Sequence, residues 1–173
     1  MPNSMTETDF AALLCSRLCH DLVSPVGALS NGIEILADED DEMMRAEVLK
    51  LLEQSASQTA SKLQFFRLAF GAAGGFGETI DSREVEEVLR NFYQASKVDV
   101  DWQVSSAKLS KVVLKVVLNF CLLLGEALVR GGSLGVSVKE EGSTCLAEVS
   151  ASAERLILPE KIPQALSGGL AHE

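Results

Sequence analysis

Neither half of this 173-residue chain is basic. It carries 15 Lys and Arg against 25 Asp and Glu, a net charge of −10, of which residues 1–70 hold −6 and residues 71–173 hold −4. That balance argues against binding nucleic acid by neutralising phosphates. Long apolar runs are also missing. Stretches such as residues 120–124 fall far short of the roughly 18–20 residues a membrane span needs. The first nine residues, Met-Pro-Asn-Ser-Met-Thr-Glu-Thr-Asp, have no basic flank and no apolar centre, so they do not form a secretory signal. What is present is 47% hydrophobic content, too much for a disordered chain and enough for one ordinary domain or two small ones. The expectation is a cytoplasmic protein with no nucleic-acid and no membrane partner.

Cysteine is scarce as well: Cys15, Cys19, Cys121 and Cys145, with no zinc-ribbon spacing. A reducing compartment leaves such residues as thiols. Cys15, Cys19 and His20 raise a metal reading. However, adjacent Cys19 and His20 diverge by about 100° on a helix, and no second ligand cluster follows. Buried apolar cysteines are the expected role, and no metal site is expected.

Residues 6–37 read as one helix, capped by Thr6 or Thr8 with Glu7 and Asp9 near the positive end of its dipole. Cys15, Cys19, Leu22, Val26, Leu29, Ile33 and Leu36 alternate spacings of four and three, a heptad seam. The acidic stretch Asp38-Glu39-Asp40-Asp41-Glu42 breaks the pattern and opens a second helix over 42–70. Leu49, Leu52, Ala56, Thr59, Leu63, Phe66 and Phe70 continue the heptad there. So short a connection makes the two helices antiparallel. Leu14, Leu18, Val23, Met44, Val48 and Leu51 widen both stripes beyond what two helices can cover. A homodimer, closing a four-helix bundle through residues 6–70, is therefore expected.

Beyond the Gly-rich connection 71–77 the periodicity changes. Residues 82–96 look helical, 98–104 alternate as a strand, and 108–130 read as a largely buried helix. Gly131-Gly132 stops that helix. Residues 134–138 and 145–151 then alternate about a turn at 140–143, a β-hairpin. This order predicts an α+β sandwich over 78–173, so the fold class is α+β with an N-terminal helical hairpin at 1–70. No pattern is legible after Pro159.

Only two histidines occur, and His172 is next to the end of the sequence. His20 lies mid-helix in His20-Asp21-Leu22-Val23-Ser24-Pro25, about 160° from Leu22 and so off the seam. A lone surface histidine usually does nothing. Here Asp21 puts a carboxylate beside the ring, where it can orient the imidazole or hold a proton. Pro25 removes the amide that would serve the Asp21 carbonyl, at about 3 kcal/mol inside a helix. Together these favour function.

His-Asp-Leu-x-x-Pro resembles the phosphorylated-histidine box of two-component histidine kinases. The segment 13–36, including Ser16-Arg17-Leu18-Cys19-His20-Asp21-Leu22-Val23-Ser24-Pro25-Val26-Gly27, is more similar still to the ChpT-type histidine phosphotransferases of alphaproteobacteria. The resemblance implies a dimeric four-helix bundle followed by a degenerate Bergerat domain, the histidine-kinase ATPase-like α/β sandwich, incomplete at its C-terminus. It also places the nucleotide motifs of such domains. The Asn that holds Mg²⁺ falls on Glu126. The Asp-x-Gly-x-Gly that holds adenine falls on Ala151, Ala153 and Arg155. No other glycine cluster forms a phosphate cradle.

The implied function is a histidine phosphotransferase relaying a phosphoryl group through His20, with no bound cofactor. Mg²⁺ would come from the partner receiver domain. Implied partners are the receiver of a hybrid histidine kinase and response regulators of the CtrA-like and CpdR-like kinds. Asp21 would act with His20. Arg17, Ser16, Ser24 and Gly27 would meet the partner, with two readings left open: a solvated arginine at 17, and a packing adjustment at Gly27 and Gly32. An ATP-dependent histidine kinase and a non-catalytic dimeric adaptor are the competing readings.

Overall fold

The structure, a computed structural model, describes residues 6–71, 78–141 and 144–166. The chain divides between Phe66 and Arg67 into two compact units. Residues 72–77, most of the Gly-rich connection, lie outside the described residues, as do 142 and 143 at the hairpin turn, His172 and the rest of 167–173.

The first unit is a helical hairpin. Helix α1 (Glu7–Asp38) starts at Thr6, whose hydroxyl accepts from the Asp9 amide at 3.1 Å while the Asp9 carboxylate accepts from the Thr6 amide at 3.0 Å. This capping box satisfies orphan donors at both positions, and the bonds from Thr6 hold the Asp9 carboxyl below its ordinary range. Helix α2 (Glu42–Ala69) is started by Asp41, which accepts from the amides of Met43 and Met44. Arg45 then reaches back to the carbonyls of Leu36 (2.9 Å) and Glu39 (2.7 Å), giving the end of α1 partners for its last oxygens. Further along, Gly32 faces Leu52 and the Asp21 carbonyl meets Lys62. Contacts that fall along α1 as they rise along α2 define an antiparallel pair. Within α1 only Pro25 and Gly32 are buried. Ile33 on the seam is 62% exposed, and Val26, Leu49 and Leu63 are also open to solvent. Cys15 and Cys19 are exposed, contrary to the expected burial, because they share that uncovered stripe.

The second unit layers helices on one face of a mixed sheet. Its elements are β1 (Thr79–Asp81), α3 (Ser82–Tyr93), β2 (Val98–Val104), β3 (Lys108–Ser110), α4 (Lys111–Ala127), β4 (Gly132–Glu141), β5 (Thr144–Ser152) and α5 (Lys161–Leu166). The sheet order is β2-β4-β5, with β2 parallel to β4 and β4 antiparallel to β5. A parallel β2–β4 pair needs a crossover, and α4 supplies it. Val100, Leu134, Val136 and Val138 are buried beneath Val85 and Leu89 of α3 and Leu114, Val117 and Leu118 of α4. The other sheet face carries Asp99, Asp101 and Gln103, all exposed.

Three boundaries differ from expectation. Residues 108–110 are not helical: they pair with β1, with Leu109 opposite Ile80, and α4 begins only after Ser110 caps it through the Val113 amide. That helix ends at Ala127 rather than 130, where Gly131 and Gly132 adopt φ values of 95° and 143° that other residues avoid. Helix α3 ends at Tyr93 rather than 96, because the Ser96 amide and hydroxyl both turn back to the Tyr93 carbonyl. Nor is α4 buried on most sides: Val112 is 73% exposed and Val116 also faces solvent. Inside the unit, the Tyr93 hydroxyl donates to the Cys121 carbonyl at 2.8 Å, and burial pushes the Cys121 thiol up to about 12.

Candidate functional site

His20 lies on the fourth turn of α1, away from both helix ends, so the chain on either side holds its backbone. Its side chain is 85% exposed. A ring this open has no packing to hold it, and what fixes it is Asp21. The His20 Nδ1 and Asp21 Oδ1 are 3.0 Å apart. Asp21 is itself only 13% exposed, and its second oxygen accepts from Arg17 Nε at 2.9 Å, one helical turn earlier. With Arg17 on one oxygen, the carboxylate serves the ring as an acceptor. In the neutral ring this contact puts the proton on Nδ1 and leaves the lone pair on Nε2.

The backbone beneath is unusual. Pro25 has no amide to give the Asp21 carbonyl, yet α1 runs unbroken through it. The vacant acceptor is filled from the other helix: Lys62 Nζ donates to the Asp21 oxygen at 2.7 Å. Asp21 thus receives a cation at its carboxylate and another at its carbonyl while it holds the histidine.

The structure places the remaining sequence candidates as follows. Arg17 is tied to Asp21, which makes it part of the support beneath the ring. Ser16 and Ser24 are exposed and lie within about 40° of His20 around the helix. Gly27 shares that face, and a Cβ there would meet nothing within 4 Å, so its role is not internal packing. Gly32 is different. A Cβ would come within 2.7 Å of Leu52, so that glycine lets α2 approach. Cys15 and Cys19 are on hand near the histidine, but among the described residues no group of three or more His, Cys, Asp or Glu can hold a metal ion. Lys62 was not visible as a candidate, since it is 41 positions from its partner. The signal that called for it was the carbonyl that Pro25 leaves without a donor.

An exposed imidazole held by a carboxylate can take part in proton or group transfer, and comparison with known proteins shows the family to which the chain belongs. Residues 82–173 match the family model of the histidine phosphotransferase C-terminal domain, and the chain belongs to the histidine phosphotransferase family. It is 35% identical over 177 residues to the protein phosphotransferase ChpT of Brucella abortus (strain 2308), covering 100% of this chain and 81% of that one. A bacterial phosphotransferase solved at 1.7 Å superposes with a TM-score of 0.85 at 32% identity, covering 100% of this chain and 82% of the other. The protein is a histidine phosphotransferase of a phosphorelay. No helix among the described residues is long and apolar enough to cross a membrane.

Proposed function

We propose that His20 is the residue that carries the phosphoryl group, taking it from an aspartyl phosphate on one receiver domain and giving it to an aspartate on another. The observation that carries this reading is the 3.0 Å contact between His20 Nδ1 and Asp21 beneath an open Nε2. The Nε2 lone pair attacks phosphorus in line as the P–O bond to the receiver aspartate breaks, and the aspartate leaves as a carboxylate. Attack makes the ring cationic, and Asp21 accepts the Nδ1 proton. The return step reverses this sequence on the second receiver. The transition state of such a transfer is loose, so positioning and charge supply most of the rate.

The small residues on the histidine's face support docking of a folded partner. Ser16, Ser24 and Gly27 project little, so a receiver can bring its aspartate close to Nε2 without a steric barrier. The donor is the receiver of a hybrid histidine kinase, and the acceptors are response regulators of the CtrA-like and CpdR-like kinds. Mg²⁺ belongs to the receiver. The chain works without ATP, since Ala151, Ala153 and Arg155 stand where a kinase needs Asp-x-Gly-x-Gly. It works as a cytoplasmic homodimer, in which a second hairpin covers Val26, Ile33, Leu49 and Leu63.

The test is a relay. A phosphorylated receiver, this protein and a second receiver are mixed, and label is followed on each. Wild type passes label through an acid-labile intermediate, and His20→Ala passes none. Transfer by His20→Ala at the wild-type rate would refute the assignment. Incorporation of label on His20 from ATP alone would make the protein a kinase.

A further inference from the structure

We infer that Lys62 is a positioning residue for phosphotransfer, standing in from α2 for the backbone donor that Pro25 removes from α1. The inference rests on the proposed role of His20 and deepens it.

In an unbroken helix the amide of residue 25 would bond to the carbonyl of residue 21. Pro25 has none, and its ring crowds the same oxygen. A carbonyl deprived of its donor next to a part-buried carboxylate is costly unless something else binds it. Lys62 does so at 2.7 Å, and among the described residues this is its one hydrogen bond. The consequence reaches the reacting ring through Asp21 itself. The Asp21 backbone is pinned by Lys62, its side chain is pinned by Arg17 at 2.9 Å, and the carboxylate so fixed sets His20 Nδ1 at 3.0 Å. The ring has no packing of its own, so its tautomer and orientation are only as well defined as Asp21. Proline frees the carbonyl, and lysine spans the two helices to take it. The device also couples the site to the hairpin, because the site is complete only while α2 is in place.

Coupling between positions 25 and 62 is what distinguishes this role from direct contact of the ammonium with the transferred phosphoryl group. If Lys62 acts through the carbonyl, an alanine at 25, which restores the amide, makes it dispensable. The proteins compared are wild type, Lys62→Met, Lys62→Arg, Pro25→Ala and Pro25→Ala with Lys62→Met. Two readouts need no receiver: the ¹⁵N shifts of the His20 imidazole, which report the tautomer, and the rate of His20 phosphorylation by phosphoramidate. Lys62→Met is expected to move His20 from Nδ1–H toward Nε2–H and to slow phosphorylation about fivefold, the equivalent of one hydrogen bond. Lys62→Arg keeps both near wild type. In the Pro25→Ala background the Lys62→Met change falls within about twofold of no effect.

An unchanged tautomer in Lys62→Met, or an equal loss in both backgrounds, overturns the inference. Should Lys62→Met lose helicity, helicity becomes the readout: Pro25→Ala must restore it, and failure to do so also overturns the inference. Because neither measurement uses a receiver, failure of the relay would be seen separately, in the assay on His20→Ala.

Discussion

Replacing Asp21 by Asn keeps the shape of the site and removes its charge. The amide oxygen of Asn can still accept from His20 Nδ1, so the ring keeps its orientation while the cationic ring formed on attack loses its counter-charge. The size of the loss follows from the 3.0 Å separation and the 85% exposure of the ring. A unit charge pair at that distance in water is worth about 1.4 kcal/mol, roughly tenfold in rate. The difference between a hydrogen bond to a charged and to a neutral partner, about 1–1.5 kcal/mol, gives the same answer. Single-turnover transfer from a phosphorylated receiver, followed by rapid quench, measures it. Asp21→Ala removes orientation as well and falls further. Arg17→Ala, which removes the part-exposed ion pair to Asp21, costs less than about fivefold. Asp21→Asn at the wild-type rate would refute the electrostatic role. A loss of about 10³-fold or more would refute the water-like estimate and show that solvent does not replace Asp21 as acceptor of the Nδ1 proton.

Two further outcomes concern the scaffold. Gly125→Ala is favoured by helix propensity by about 1 kcal/mol, but its Cβ would run into the Tyr93 hydroxyl and break the bond to the Cys121 carbonyl. Overpacking and the loss of that buried hydrogen bond outweigh the propensity, so urea unfolding followed at Trp102, the one tryptophan, is expected to show a net loss of about 2 kcal/mol; a stabilised variant would refute the packing argument. Ile33→Glu places a charge on the uncovered seam and is expected to give a monomer by light scattering with α-helical circular dichroism retained, whereas an unchanged dimer would show that this stripe is not the interface.

Long elements were legible because many residues vote on each. The heptads of α1 and α2 run over several turns, and the capping box at Thr6 and the acidic run at 38–42 mark where they begin and break. The strands at 98–104, 134–138 and 145–151 show alternation over five residues or more. Short elements have no such redundancy. Residues 108–110 and 79–81 are strands only because Leu109 and Ile80 meet each other. Locally, 108–110 reads as the first turn of the apolar helix that follows. The exposure of Cys15 and Cys19 was missed for a related reason: a seam residue is buried only when something covers the seam, and one hairpin does not.

The site divides in the same way. His20, Asp21 and Arg17 fall within five residues, and helix geometry alone brings them together. Ser16, Ser24 and Gly27 follow from the same rotation. Lys62 belongs to the other helix, and only the pairing of α1 with α2 places it against Asp21. Yet its role was implied by one residue of the motif. A proline inside a helix creates a carbonyl that needs a donor, and a buried one must find it in the tertiary structure. In a hairpin whose second helix is rich in Gln, Ser and Thr, with only four cations, a lysine is the side chain long enough to cross and charged enough to stay bound there. Pro25 and Lys62 are therefore best regarded as one feature written in two places, and changing Lys62 alone should disturb the histidine more than changing both.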